Sequence, residues 1–87
     1  MDTRVAVIAV IIENEDSVAH VNALLHEARA YIIGRMGIPY HARGINLISL
    51  AVDAPQPVIA ELSGKLGQLP GVSAKAAYSK VLPETGC

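Results

Sequence analysis

An apolar run near the N-terminus, RVAVIAVII at residues 4–12, limits the possible folds more than any other part of the sequence. It is rich in β-branched residues, and both sets of alternating positions are apolar. Because alternate residues of a strand point to opposite faces of a sheet, this pattern predicts an interior strand that is covered on both sides. The run is far shorter than the ~20 apolar residues that a membrane-spanning helix needs, so no membrane association is predicted.

The rest of the sequence alternates between helix-like and strand-like patterns. Apolar residues recur at helical spacing across residues 17–29 and again after Asp53–Pro57, where a proline fits the first helical turn. Strand-like runs begin at Tyr31, Ile45 and Val72. The predicted buried stripes of the two helices are Val18, Val21, Leu24, Leu25 and Ala28, then Val58, Ile59, Leu62, Leu66 and Leu69.

The resulting order is β-α-β-β-α-β, which is the order of a ferredoxin-like α+β sandwich. Such a fold has an antiparallel four-stranded sheet with two helices on one face. We expect residues 1–81 to form one domain and residues 82–87 to form a disordered tail. The tail contains LPETG, a sortase-like pattern, but only Cys87 follows it, so a wall-sorting signal is not predicted. Gly64, inside the second helix, is expected to mark close packing.

The small size of the chain bears on how it covers its apolar residues. Of its 87 residues, 52% are hydrophobic, whereas a domain of this size buries only ~60–65% of the surface of its unfolded chain. Because the helices cover one face and the first strand is apolar on both, we predict a homo-oligomer, dimer or tetramer, assembled through the other face. The N-terminus lacks a signal peptide and the chain has one cysteine, so a cytoplasmic location is predicted.

Several function classes are disfavoured by the residues present. The net charge is −1, and neither the first nor the third strand carries an aromatic residue on which RNA bases stack, so nucleic acid is not a predicted partner. The candidate metal ligands are His20, His26, His41 and Cys87, and no two of them have the i, i+4 spacing that favours a helical metal site. No nucleophile–base pair is recognisable either, so neither a cofactor nor catalysis is predicted.

Residues 34–44, between the second and third strands, hold three glycines, a proline and two arginines. We predict a demanding hairpin loop there, in which the glycines permit positive φ. In one interpretation, Arg35 and Arg43 hold a carboxylate or phosphate of a small-molecule effector. Tyr40 and His41 then add hydrogen bonds. In the other, the loop is a subunit interface and Arg35 forms an intersubunit ion pair. The candidate residues are Gly34, Arg35, Met36, Gly37, Pro39, Tyr40, His41, Arg43 and Gly44.

Three stretches, SVAHVNALLHEARAYIIG, GRMGIPYHARGINLISL and GKLGQLPGVSAKAAYSK, together resemble a family of small bacterial proteins described as iron-only hydrogenase system regulators. That family has an ACT-like variant of the ferredoxin-like fold and is similar to the C-terminal regulatory domain of nickel-responsive repressors. The resemblance covers about residues 4 to 80. It implies a non-enzymatic, oligomeric regulatory or ligand-sensing domain without a DNA-binding domain of its own.

The sequence departs in two respects from the ligand-binding patterns of these related proteins. ACT domains that bind amino acids usually place a glycine-containing turn after the first strand, whereas the turn here, Glu13–Asp16, has no glycine. Nickel-responsive repressors bind the metal through His and Cys on strands of adjacent subunits, and no His or Cys of this chain lies on a predicted strand. Two alternatives remain open: a scaffold module without a small-molecule ligand, and a nickel-type metal sensor.

Overall fold

The structure, a computed structural model, describes residues 2–80, so the predicted tail at 82–87 lies outside the described residues. Its elements follow the predicted order β-α-β-β-α-β. They are β1 (Arg4–Ile12), α1 (Val18–Glu27), β2 (Ile32–Tyr40), β3 (Ile45–Ala54), α2 (Gln56–Gly67) and β4 (Val72–Tyr78). Short 3-10 turns, Glu15–Ser17 and Arg29–Tyr31, precede and follow α1.

The four strands form one antiparallel sheet in the order β2-β3-β1-β4. β1 is an interior strand with β3 on one side and β4 on the other, as its apolar pattern predicts. Both helices pack against the same face of this sheet. The predicted α+β class with a ferredoxin-like arrangement is therefore confirmed.

The core lies between the helices and one face of the sheet, which we call the helix side. Every second residue of β1 from Ala6 to Ile12 is buried there. Of the facing residues of β3, Leu50 and Val52 are buried, and Ile48 and Asn46 are half-buried. The buried members are Ala6, Ile8, Val10 and Ile12 of β1, Leu50, Val52 and Ala54 of β3, Val72 of β4, and Val21, Leu25, Ala28, Ile59, Leu62 and Leu66 of the helical segments. The other predicted stripe residues, Val18, Leu24, Val58 and Leu69, are partly buried against this core.

The prediction of a long loop at residues 34–44 is wrong for its first seven residues. β2 continues to Tyr40, and only residues 41–44 form the turn. β2 is an edge strand, where glycine and proline are tolerated because one side of the strand has no ladder partner to lose. Gly34 and Gly37 therefore lie in extended backbone, and of the three glycines only Gly44 has a positive φ, 68°.

The turn after β1 is closed against the turn before β4. The backbone N–H of Glu13 donates to the carbonyl of Gly71 at 2.7 Å, and the buried Ser17 hydroxyl donates to the carbonyl of Pro70 at 2.6 Å. Gly71 has φ 68°, and a Cβ on it would lie 2.6 Å from the Cβ of Asn14. The close approach of these two turns therefore requires a glycine. That glycine is Gly71, in the turn before β4, whereas the turn after β1 has none.

The two helices are short, with ten residues in α1 and twelve in α2. Over residues 2–80, neither is long and apolar enough to cross a bilayer. The prediction of close packing at Gly64 is wrong, because a Cβ there would meet no atom within 4 Å. Gly64 lies on the exposed side of α2, where a missing side chain leaves open space.

Candidate functional site

β2 divides the predicted site residues between the two faces of the sheet. Arg35 is opposite the buried Leu50 and therefore lies on the helix side, whereas Met36 is opposite Ser49 and lies on the other face, which we call the open face. By this alternation Gly37 and Pro39 share the helix side with Arg35, and Gly34, Ile38 and Tyr40 share the open face with Met36. The sequence motif thus contributes to two separate surfaces.

The open face carries a continuous apolar surface over three strands. Ile38 of β2, Leu47 of β3 and Ile11 of β1 form one cross-strand row. Within the described strands, the charged side chains on this face are Asp53 and Lys75. Six large apolar side chains are exposed here, namely Val5 (45%), Val7 (44%), Ile11 (40%), Met36 (60%), Ile38 (46%) and Tyr40 (48%).

On the helix side, Arg35 lines a cleft between α1 and β2 with a volume of about 320 Å³. We call it the α1–β2 cleft, and its lining residues are Asn22, Leu25, His26, Arg29, Ile32 and Arg35. The Nη2 atom of Arg35 donates to Asn22 Oδ1 at 3.5 Å, and Nη1 of Arg29 donates to the backbone carbonyl of His26 at 2.8 Å. The cleft therefore gathers two guanidinium groups, an imidazole and an amide over an apolar floor.

None of the six residues that line the cleft is acidic. Within residues 2–80, the ion pair of this chain joins Lys65 to Glu61 at 3.3 Å on α2, and neither Arg29 nor Arg35 pairs with a carboxylate. The two arginines thus bring positive charge to one cleft of a chain whose net charge is −1.

The turn at residues 41–44 is a separate place from the cleft. It is held by two backbone hydrogen bonds, from Arg43 N–H to the carbonyl of Tyr40 at 3.3 Å and from Gly44 N–H to the carbonyl of His41 at 3.2 Å. Arg35 lies five residues before the end of β2, so at about 3.3 Å per residue it is roughly 16 Å from the turn. The structure therefore does not bring Arg35 and Arg43 together around one ligand.

The three histidines also lie in different places. His20 lies in a groove between α1 and α2, His26 in the α1–β2 cleft, and His41 in the turn after β2. Over residues 2–80, no three His, Cys, Asp or Glu side chains come close enough to hold a metal ion. Cys87, the remaining candidate ligand, lies outside the described residues.

The sequence reasoning missed Asn22, His26 and Arg29 as neighbours of Arg35. A signal was present, because these positions follow the spacing i, i+4, i+7 and so share one side of the helical segment. Nothing in that spacing says which strand this side of the helix faces. The pairing with Arg35 depends on where α1 lies on the sheet.

Comparisons with known proteins agree with the fold. The family model described as "TM1266-like: Iron-only hydrogenase system regulator, putative" matches residues 4–76. The solved structure of uncharacterized protein TM1266 from Thermotoga maritima is similar, with a TM-score of 0.87 and 31% sequence identity over 91% of this chain and 100% of that chain. No curated protein matches. Since the family model spans most of its length, this chain belongs to the TM1266-like family.

Proposed function

We propose that the chain is a non-catalytic regulatory domain that acts in the cytoplasm as a homo-oligomer, with its open face covered by a second copy. The family description supports the regulatory role. The observation that carries the oligomer is the open face itself, where six large apolar side chains of β1 and β2 are 40–60% exposed. Exposed apolar patches of this extent on a small domain mark interaction surfaces, because covering them is favourable.

A second copy suits this face better than an unrelated partner. A two-fold contact repeats the same patch on both subunits, so a face dominated by aliphatic side chains is complementary to itself. Asp53 and Lys75 supply one acid and one base within the described strands, so two copies do not confront each other with charge of a single sign. A dimer is the smallest assembly that covers the face, and a tetramer needs a further contact.

The proposal is tested by sedimentation velocity on the full chain at micromolar concentration. Wild type is expected to sediment as a dimer or larger species, and Ile11→Glu as a monomer, because a buried carboxylate in the centre of the apolar row has no partner. Ala60→Glu is the matched control. It adds the same charge on the exposed side of α2 and is expected to leave the assembly unchanged.

A monomeric wild-type chain would contradict the proposed assembly. So would an Ile11→Glu variant that stays folded by circular dichroism and keeps the wild-type sedimentation coefficient. Loss of assembly in Ala60→Glu, with assembly retained in Ile11→Glu, would place the contact on the helices instead of the open face.

Ligand sensing is the second part of the proposed role, and the α1–β2 cleft favours it. The cleft is on the opposite side of the sheet from Met36 and Ile38, so covering the open face leaves it accessible to solvent. An arginine-rich cleft that stays open in the assembled protein suits a regulatory domain that responds to a small molecule. The class of that molecule follows from the charge of the cleft.

A further inference from the structure

We infer that the α1–β2 cleft binds a small anion that presents a carboxylate or phosphate group to Arg29 and Arg35. This inference rests on the ligand-sensing part of the proposed function and gives it a site and a chemical class. It replaces the sequence-based pairing of Arg35 with Arg43, which lies in the turn after β2.

The positive charge of the cleft is not balanced by a nearby acidic residue within residues 2–80. Arg29 and Arg35 line the same cleft, neither has a carboxylate partner within residues 2–80, and the lining contains no acid. Both side chains are exposed, so they are free to reach a common ligand, and an anion that contacts both gains charge-assisted hydrogen bonds from each. The acidic residues within residues 2–80 supply no such partner at this position.

The two guanidinium groups also have hydrogen-bond donors to spare for a ligand. A guanidinium has five N–H donors in a planar fork that fits two oxygens of a carboxylate or phosphate. Arg29 uses Nη1 on the carbonyl of His26, a bond that orients the group and leaves its other donors available. The contact of Arg35 with Asn22, at 3.5 Å, is at the long limit of a hydrogen bond, so an anion competes with it readily.

At the C-terminal end of α1, the backbone does not attract an anion, so the arginine side chains have to supply the positive charge. The last carbonyls of a helix carry partial negative charge, which repels anions. Arg29 donates to one of these carbonyls, that of His26, so its positive charge offsets part of this negative charge. The anion is therefore held by side chains, with His26 and the amide of Asn22 as further hydrogen-bond donors.

The size of the cleft limits the ligand. Its volume of about 320 Å³ is at the lower end of the range of small-molecule sites, roughly 300–1,000 Å³. Leu25 and Ile32 provide an apolar floor for a short carbon skeleton. A small organic acid or phosphate ester fits this description.

The test is a titration of the ¹⁵N-labelled full chain by two-dimensional NMR at constant ionic strength. The probes are inorganic phosphate and citrate, with sodium chloride as the reference salt, up to about 10 mM so that a site of millimolar Kd is filled. At least one of the two probes is expected to shift the amide signals of Asn22, His26, Arg29 and Arg35. Which probe does so distinguishes the phosphate source from the carboxylate source.

Three variants assign the effect to the cleft. Arg35→Ala is expected to weaken binding by at least about tenfold, because it removes charge-assisted hydrogen bonds to the anion. Arg35→Lys keeps the charge but loses the fork and is expected to fall between wild type and Arg35→Ala. Arg43→Ala is the matched control, since it removes an arginine in the turn outside the cleft and is expected to bind as wild type does.

The inference is overturned if neither probe shifts the cleft signals, or if Arg43→Ala weakens binding as much as Arg35→Ala. Shifts scattered over all lysines and arginines would show ionic-strength effects only and would also overturn it. Sedimentation of the same samples separates the two proposals. Failure of anion binding with an intact oligomer removes the cleft and leaves the open-face assembly standing.

Discussion

The two faces of β1 are nearly identical in composition and opposite in burial. Ala6, Ile8, Val10 and Ile12 face the helices and are 0–1% exposed. Val5, Val7 and Ile11, together with Ala9, face the open side, and the three larger side chains are 40–45% exposed. Hydrophobicity alone therefore does not decide which face of this strand becomes the core. The attachment of α1 and α2 decides it, and the remaining face keeps the capacity to bind another surface.

The largest expected effect is a loss of stability on substituting a core-facing residue of β1. Comparing it with a substitution on the open face of the same strand distinguishes folding from association. Ile8→Ala should lower the free energy of unfolding by about 2–5 kcal/mol, because it leaves a cavity in the core under the helices. Ile11→Ala removes the same atoms from the open face and should cost the isolated chain less than about 1 kcal/mol. Urea denaturation at low protein concentration measures both changes.

The same pair should behave differently as protein concentration rises. If a second copy covers the open face, the stability of wild type increases with concentration, and Ile11→Ala reduces that increase. Ile8→Ala should show its cost at every concentration. Equal costs for the two variants at low concentration would remove the distinction between the faces.

A smaller effect is expected from substituting Gly71, which lies where the turn after β1 contacts the turn before β4. Gly44, in the turn between β2 and β3, is the comparison. Gly44 and Gly71 both have φ 68°, so alanine at either position carries a backbone penalty of about 1–2 kcal/mol. A Cβ at Gly71 would also lie 2.6 Å from Asn14 Cβ and 2.9 Å from its backbone N, whereas a Cβ at Gly44 meets nothing within 4 Å. Gly71→Ala should therefore destabilise the chain more than Gly44→Ala in thermal or urea unfolding.

Comparing Gly71→Ala with Gly44→Ala tests how rigid the contact is between the turn after β1 and the turn before β4. Equal losses for the two variants would mean that Asn14 moves aside without cost and that the turn after β1 is adaptable. A larger loss for Gly71→Ala supports a turn held in place by Gly71 and Ser17.

The smallest expected effect is on the outer side of the helix layer. Gly64→Ala should raise the free energy of unfolding by up to about 1 kcal/mol, because alanine favours a helix interior and the space around Gly64 is open. The sedimentation coefficient should not change. A loss of stability or of assembly would mean that a subunit packs against α2, which would move the proposed interface away from the open face.

The fold was predictable from the sequence because its signals are local and periodic. The β-branched run of β1, the helical stripe that includes Val21 and Leu25, and the prolines at the start of α2 each specify one element from its own residues. β2 was predicted less well. Its Gly34 and Gly37 are typical of a loop, and only the position of β2 at the sheet edge makes extended backbone acceptable for them.

The order of the elements, the apolar stripes of the helices and the apolar character of both faces of β1 could all be read from the amino-acid sequence. Only the packing of the elements shows which face of β1 is buried, and that Arg35 lines a cleft with Arg29, in the turn after α1, and not with Arg43. Hydrophobic and charge patterns repeat every few residues along the chain, so they define the apolar and polar faces of each helix or strand separately. Which faces meet depends on contacts between elements far apart in the chain, such as β2 and α1, and those contacts form only when the whole sheet and both helices pack together.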